Sequence, residues 1–298
     1  MATEFEVTLW GENETNLLSW GELALDEIQK LEVQLSFYRE ESDISDINRR
    51  AYYEPVTLDP RLFYLLERAK AIHTLSKGAF DITITPLLRA WGFTGGSGKR
   101  PQPEEVETAR NRCGMEFLAL NESDYTVRFL REGMLLDLGA IGKGYAIERV
   151  VEMLQELGVS GGMIHGGTST VHAIGSQSDG APWNIAIQNP HLNLAREHLT
   201  AVSLRDNSLS VSAIHGKYFT EDDSRYGHVI NPSTGEPVRN ALLAAVVSPS
   251  ATDSDALSTA LLVAGEPFFT VLSMLPDTSA LLMKEDYDGK IQVLSNLK

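Results

Sequence analysis

An α+β protein with a mainly antiparallel sheet and packed helices is what this chain predicts, and three observations lead there. Short stretches of apolar/polar alternation recur along its length. Amphipathic segments at helical spacing are interspersed among them instead of alternating strictly with them. Neighbouring strand-like runs are joined by tight turns, a glycine turn within 161–175 and Asp206-Asn207 further on.

Composition bounds the functions open to it. The 298 residues are 43% hydrophobic and 22% charged, ordinary for a globular chain with ample core. A net charge of −16 argues against a nucleic-acid or anionic-membrane surface. An anionic substrate therefore needs local positive groups or a metal. Cys113 is the only cysteine, which excludes a disulfide framework and a cysteine metal cluster. Glu4, Glu6, Glu12 and Glu14 crowd the first residues, where no apolar signal-peptide region is visible. No run approaches the roughly 18 apolar residues of a membrane span. The expectation is a soluble chain, cytoplasmic as given, or periplasmic or membrane-anchored if a leader has been removed.

Phe5, Val7 and Leu9 alternate with polar residues as a half-buried strand. Residues 17–35 read as an amphipathic helix with Leu25, Ile28, Leu31 and Leu35 on one side. LSFYREESDISDIN, residues 35–48, is polar and reads as a capped loop. Asp59 at an N-cap and Pro60 at the first helical position open the next helix, which ends near Lys77-Gly78. In GAFDITITPLLRAWGF, residues 78–93, Ile82 and Ile84 alternate with threonines as a strand that Pro86 ends. Asp81 at its start either hydrogen-bonds a ligand or caps the turn. Residues 94–105 (TGGSGKRPQPEE) form a Gly/Pro-rich surface loop.

DLGAIGKGYAIERV, residues 137–150, follows the apolar, strand-like run 134–138. Its three glycines lead into a helix bearing Ala146, Ile147, Val150, Val151 and Leu154. A glycine turn at a helix start collects backbone N–H groups and the positive end of the dipole, which suits a phosphate, and Lys143 adds charge there. G-x-x-G-x-G is neither the dinucleotide fingerprint nor a P-loop. Taken alone, the stretch reads better as a turn with one solvated lysine; the phosphate reading is kept because of the motifs elsewhere in the chain. Residues 161–175 are a strand, a glycine turn and a strand, and His165 and His172 read as sheet residues. Strands follow at 183–187, 199–204 and 209–214. Then His228 stands on a short apolar segment ahead of the Asn231–Gly235 turn. A strand at 241–248 leads to a helix capped by Thr252 or Asp253. On it Asp255 and Thr259, four apart, share one face. One carboxylate and one hydroxyl suit Mg²⁺, which keeps waters and takes substrate phosphate oxygens. The alternative is an N-terminal carboxylate favoured by the dipole. Strands at 280–284 and 290–294 close the chain.

The pieces LSFYREESDISDIN, GAFDITITPLLRAWGF, DLGAIGKGYAI, GGTSTVHAIG, GHVINPSTGEPV and DSDALSTALLVAG, in that order and spacing, resemble the ApbE-type FAD:protein FMN transferases over almost the whole chain. The resemblance implies an ApbE-like flavin transferase fold over residues 1–298, as one FAD-binding unit or as two lobes with the site between them. It implies FAD as substrate, Mg²⁺ as cofactor, and transfer of the FMN half to a threonine or serine hydroxyl of an acceptor flavoprotein with release of AMP. Flavin and phosphate contacts are implied at Tyr38, Ala79, Phe80, Asp81, Asp137, Lys143 and Ile230. Metal ligation is implied for the Ala140 carbonyl and the Asp255 and Thr259 side chains. His228, in the position of the family's H-I-I-D-P-x-T-G histidine, is implied as the base. That chemistry agrees with the residue types, because phosphoryl-type transfer asks for positioning, charge neutralisation and a base that works near neutral pH. Departures lie at Asn231, where the family has Asp, at Thr168 and Ala213, and at Glu148. They set two alternatives beside the transferase: an FAD pyrophosphatase giving FMN and AMP, and a non-catalytic FAD-binding protein.

Overall fold

The computed structural model describes residues 3–96, 98–190, 197–214, 216–222, 224–286 and 288–297. Ser97, within the Gly/Pro-rich stretch, lies outside the described residues. In chain order come β1 (Phe5–Leu9), α1 (Glu14–Leu35), α2 (Asp43–Arg50), β2 (Val56–Thr57) and α3 (Pro60–Leu75). Next are α4 (Thr85–Ala90), α5 (Pro103–Arg110), β3 (Leu118–Asn121), β4 (Thr126–Phe129) and α6 (Gly142–Glu156). β5 (Gly161–Gly166), β6 (Thr170–Gly175), β7 (Trp183–Gln188), β8 (His198–Leu204) and β9 (Asn207–Ala213) follow. β10 (Tyr218–Glu221), β11 (Ser224–Gly227), β12 (Ala241–Ser248), α7 (Ala251–Ala264), α8 (Glu266–Leu272), β13 (Ser279–Glu285) and β14 (Ile291–Ser295) complete the order. Every strand pairing among the described residues is antiparallel, and the class is α+β. No described helix is long and apolar enough to cross a membrane.

The chain divides into two compact units. The first holds Met1–Glu32, Ile141–Ala213 and Ala241–Lys298. Its sheet runs β1-β5-β6-β9-β12-β13-β14. β12 is buried at every position, which is why ALLAAVVS is a continuous apolar run and not an alternating one. α7 packs on β9, β12 and α6. One core cluster joins Ala24 and Ile28 of α1 to Ile147, Val150, Val151 and Leu154 of α6 and to Ile164 and Ile174 of the sheet. The buried stripe of α1 is Ala24, Ile28, Leu31 and Leu35, whereas Leu25 is 45% exposed. Leu25 follows Ala24 by one residue and so is turned a hundred degrees or so away from that stripe.

The second unit, Val33–Ala140 with Ile214–Asn240, is built from α2–α5, the sheet β2-β4-β3 and the hairpin β10-β11. Trp91 centres its core with Leu87, Val106, Ala109, Cys113, Tyr226 and Ile230, and Phe219 stacks on Tyr226 at 5.1 Å. Several local expectations change here. Residues 43–50 are helical, because Ser42 caps the Ser45 N–H at 3.0 Å and Ile44 and Ile47 bury their side chains. Residues 82–84 make no strand. Asp81 Oδ1 accepts from both the N–H and the hydroxyl of Thr83, curling the chain, and Pro86 opens α4 where it was expected to end a strand. The loop beginning at 94 gives way at Pro103 to α5, started by a Gln102/Glu105 capping box.

Candidate functional site

In the first unit the glycine turn meets a carboxylate. α6 has no side-chain cap at Ile141 and no acidic residue in its first turn. One of its first N–H groups, that of Gly144, donates instead to Asp255 Oδ2 at 2.9 Å. Thr170 Oγ1 donates to Asp255 Oδ1 at 3.3 Å, and Lys143 Nζ stands 3.5 Å from the same oxygen. Asp255 is 3% exposed, so a carboxylate is held inside the protein by an N–H, a hydroxyl and an ammonium. Gly144 is glycine because a Cβ there would lie 2.1 Å from the Ala251 carbonyl oxygen and 2.7 Å from Asp255 Cβ. Thr259, one turn further along α7, is half-buried and lies 3.2 Å from Ser212 Oγ. Ser250 caps α7, at variance with the expected Thr252 or Asp253, because its hydroxyl reaches the Asp253 N–H at 3.0 Å. Glu148 reinforces that end: its Oε2 accepts from the Thr252 N–H at 2.9 Å and from the Ser250 hydroxyl.

The donor set at Asp255 and Thr259 is hard oxygen, with no sulfur or imidazole, and among the described residues no cluster of three or more His, Cys, Asp or Glu could hold a metal ion. Such a set fits Mg²⁺ that retains water and takes phosphate oxygens, and it does not fit zinc or copper. Ala140 is half-buried in the turn immediately ahead of α6.

In the second unit, residues 79–81 are strapped to the end of α3. Ser76 Oγ accepts from the Phe80 N–H at 3.1 Å, and His73 Nδ1–H donates to the Phe80 carbonyl at 2.8 Å. Ala79 N–H donates to the Ser76 carbonyl. Burial raises the Asp81 pKa above the ordinary carboxylate range, opposed by its Thr83 hydrogen bonds and by His73, 3.8 Å away. Asp137 lies next to this bend, its N–H donating to the Ile82 carbonyl at 2.9 Å. The run 134–138 forms no strand. Asn48 supplies its ladder, donating from Nδ2 to the Leu136 carbonyl at 2.9 Å and accepting from the Leu136 N–H at 2.6 Å. Tyr38 is 67% exposed, yet its partial burial and then the Asp137 carboxylate raise its pKa. Tyr38, Ala79, Phe80, Asp81 and Asp137 thus belong to a few braced segments of one unit.

His228 follows β11 directly. Its N–H donates to the Lys217 carbonyl at 3.0 Å and its ring packs edge-on to Phe93. Nδ1 lies 3.1 Å from the same carbonyl and 3.4 Å from the Lys217 N–H. Both contacts engage Nδ1 with the Lys217 backbone and fix the ring against it. Ile230 is buried and bridged to Pro237. The turn beyond it is anchored by Trp91 Nε1–H, which donates to the Gly235 carbonyl at 2.8 Å. Asn231 Oδ1 accepts from the N–H and hydroxyl of Ser233, the work an aspartate would do there. Thr168 is exposed in the β5–β6 turn, and Ala213 ends β9 opposite Leu243.

Other reactive groups are accounted for. His172 is buried in the sheet with Nδ1 2.7 Å from Ser208 Oγ, but Nε2 has no hydrogen-bond partner among the described residues. His165 bonds Glu6 and the Gly167 carbonyl. Burial pushes the Cys113 thiol up to about 12, which removes it as a nucleophile at neutral pH. A separate groove of about 780 Å³ in the second unit, walled by Arg49, Arg89, Arg112 and Tyr52, contains none of the candidate residues. Sequence reasoning took Gly144 only as part of the glycine turn and Glu148 only as a departure from the family pattern, and it missed Thr170, Ser210 and Ser212. The signal was present in Ser208, Ser210 and Ser212 at strand spacing and in Ser254 and Ser258 at helical spacing.

Known proteins are similar to this chain in sequence and in fold. The chain is 29% identical over 267 residues to the FAD:protein FMN transferase of Vibrio cholerae serotype O1, covering 88% of this chain and 78% of that protein. It is 30% identical over 282 residues to the protein of the same name from Treponema pallidum, covering 88% and 77%. The solved ApbE protein of Thermotoga maritima superposes with a TM-score of 0.86 at 28% identity, over 97% of this chain and 93% of that one. The flavin transferase ApbE of Vibrio cholerae gives 0.84 at 26%, over 99% and 94%. Residues 1–282 match the ApbE family, and the chain belongs to it.

Proposed function

We propose that this protein is an FAD:protein FMN transferase, which moves FMN from FAD to a threonine or serine hydroxyl of an acceptor flavoprotein and releases AMP. The observation that carries the reading is the buried Asp255 carboxylate, held by the Gly144 N–H, the Thr170 hydroxyl and Lys143 and followed one helical turn later by Thr259. Relatives named for that activity, similar over 88% of the chain, support it.

In this reading Tyr38, Ala79, Phe80, Asp81, Asp137 and Ile230 hold and orient the flavin nucleotide. Lys143 offsets phosphate charge. Asp255 and Thr259, with the Ala140 carbonyl, would hold Mg²⁺. When bound, that ion supplies a Lewis-acid counter-charge to the pyrophosphate. His228 takes the proton of the acceptor hydroxyl. The hydroxyl oxygen then bonds to the FMN phosphorus, the pyrophosphate P–O bond breaks, and AMP leaves with that bond's electron pair. Asn231 in place of the family's aspartate keeps the turn's hydrogen bonds and gives up only its charge.

The test is incubation with FAD and Mg²⁺, with and without a threonine-bearing acceptor from a flavinylated protein. AMP release with one FMN of added acceptor mass is the expected result. AMP and free FMN without a labelled acceptor would make it a pyrophosphatase, and tight FAD binding with neither product a binding protein.

A further inference from the structure

Two rows of hydroxyls face each other in the first unit, where apolar packing would be the ordinary solution. α7 carries Ser254 and Ser258 beside Asp255 and Thr259, and β9 offers Ser210 and Ser212 against them. Ser210 Oγ lies 2.8 Å from Ser254 Oγ and 3.2 Å from Thr170 Oγ1. Ser212 Oγ lies 2.8 Å from Ser258 Oγ and 3.2 Å from Thr259 Oγ1. Ser210, Ser254 and Ser258 are fully buried. Buried hydroxyls contribute little net stability when satisfied and cost when they are not, so this seam fixes the placement of α7 more than it holds the fold together.

The hydrogens of the second row can be counted. Ser258 Oγ lies 2.9 Å from the Asp255 carbonyl oxygen, which can only accept, so the Ser258 hydrogen goes there. The contact between Ser212 and Ser258 then needs the Ser212 hydrogen. The contact between Ser212 and Thr259 in turn needs the Thr259 hydrogen. Three contacts and three hydrogens leave one assignment that satisfies all of them. Thr259 is the donor, and what its oxygen retains is its lone pairs. A hydroxyl whose hydrogen is committed elsewhere is the form a cation ligand requires.

We propose that Ser212 is a positioning residue for the cation, accepting the Thr259 hydrogen so that Thr259 Oγ1 presents only lone pairs, with Ser258 setting the direction of the chain. This rests on the reading of Asp255 and Thr259 as cation ligands. The test is Mn²⁺ binding to the purified full chain, followed by electron paramagnetic resonance, beside thermal melts in chelator. Loss of an outer partner of a metal ligand weakens binding about ten-fold or more. Ser212→Ala is expected to lose about that much Mn²⁺ affinity at an almost unchanged chelator melt, and Ser212→Thr, which keeps the hydroxyl, to retain wild-type affinity. Ser258→Ala, which touches no proposed ligand side chain, lets Ser212 donate to Thr259 and is expected to weaken Mn²⁺ in the same direction. Wild-type affinity in both Ser212→Ala and Ser258→Ala would overturn the positioning role while leaving the cation reading intact. Mn²⁺ bound equally by wild type and Asp255→Ala, or by neither, would overturn the cation reading and the inference together.

Discussion

The Gly144 backbone N–H donates to Asp255 Oδ2 at 2.9 Å, across 111 residues of sequence and between the first turn of α6 and the second turn of α7. A helix start that would suit a phosphate is joined to a carboxylate, and the two helices approach closely enough that only glycine fits. Gly144→Ala gains about 1 kcal/mol of helix propensity. Against that, a methyl carbon 2.1 Å from the Ala251 carbonyl oxygen meets backbone, which no rotamer change relieves. Overpacking of this kind costs about 1–3 kcal/mol or more, so a net loss of about 2 kcal/mol is expected in urea unfolding.

Removing the charge of Asp255 tests the proposed chemistry. Asp255→Ala leaves Lys143 without its 3.5 Å partner, and AMP release from FAD is expected to fall to background. Full activity with Mg²⁺ in that variant would exclude Asp255 from the metal.

His228→Ala separates binding from transfer. FAD affinity is expected to persist, while acceptor labelling read by mass spectrometry falls about 10²–10⁴-fold, the usual worth of a general base. Unchanged labelling would remove His228 from the mechanism.

Burial depresses His172 from 6.5 to about 4. In the folded protein the ring stays neutral until pH approaches 4, whereas the unfolded chain protonates it from about 6.5. The unfolded state thus binds the extra proton between these values, and stability present above pH 6.5 is lost as pH falls through that window. The full effect is about 3 kcal/mol. Urea midpoints of wild type and His172→Gln at pH 7 and pH 4.5 give the measurement, with the smaller decline expected in the variant.

Glu148 joins α6 to the start of α7 through one carboxylate oxygen. Glu148→Asp shortens the reach by one methylene and is expected to cost about 1–3 kcal/mol of stability. Glu148→Gln keeps an acceptor and is expected to cost less. Chemical denaturation of the two variants side by side gives the comparison.

Elements whose cause is local could be read directly from sequence. Asp59-Pro60 starts α3, the glycine turn closes the β5–β6 hairpin, and Asp206, with Arg205, separates β8 from β9, one residue ahead of the expected Asp206-Asn207. The expectation failed where one side chain redirects the backbone. Ile82 and Ile84 alternate like a strand, but Asp81 curls the chain through Thr83. Residues 134–138 alternate too, with Met134, Leu136 and Leu138 buried, yet no strand pairs with them: the Asn48 side chain holds Leu136 and the Ile82 carbonyl holds the Asp137 N–H. At the candidate site, the motifs pointed to residue types at Lys143, Asp255 and Thr259. The Gly144 contact and the serine rows join distant stretches, and no local pattern encodes a distance.

The grip of Asn48 on Leu136 has an evolutionary consequence. A strand in a ladder carries a length change onward, since one added residue turns every later side chain to the opposite face. A segment clamped by Asn48 at Leu136, and held at the next residue by the Asp137 N–H on the Ile82 carbonyl, does not. Insertions or deletions between β4 and Met134 therefore end at the clamp, and Asp137, one residue beyond it, keeps its place. A length change in that surface turn is therefore expected to leave the carboxylate next to the clamp where it is.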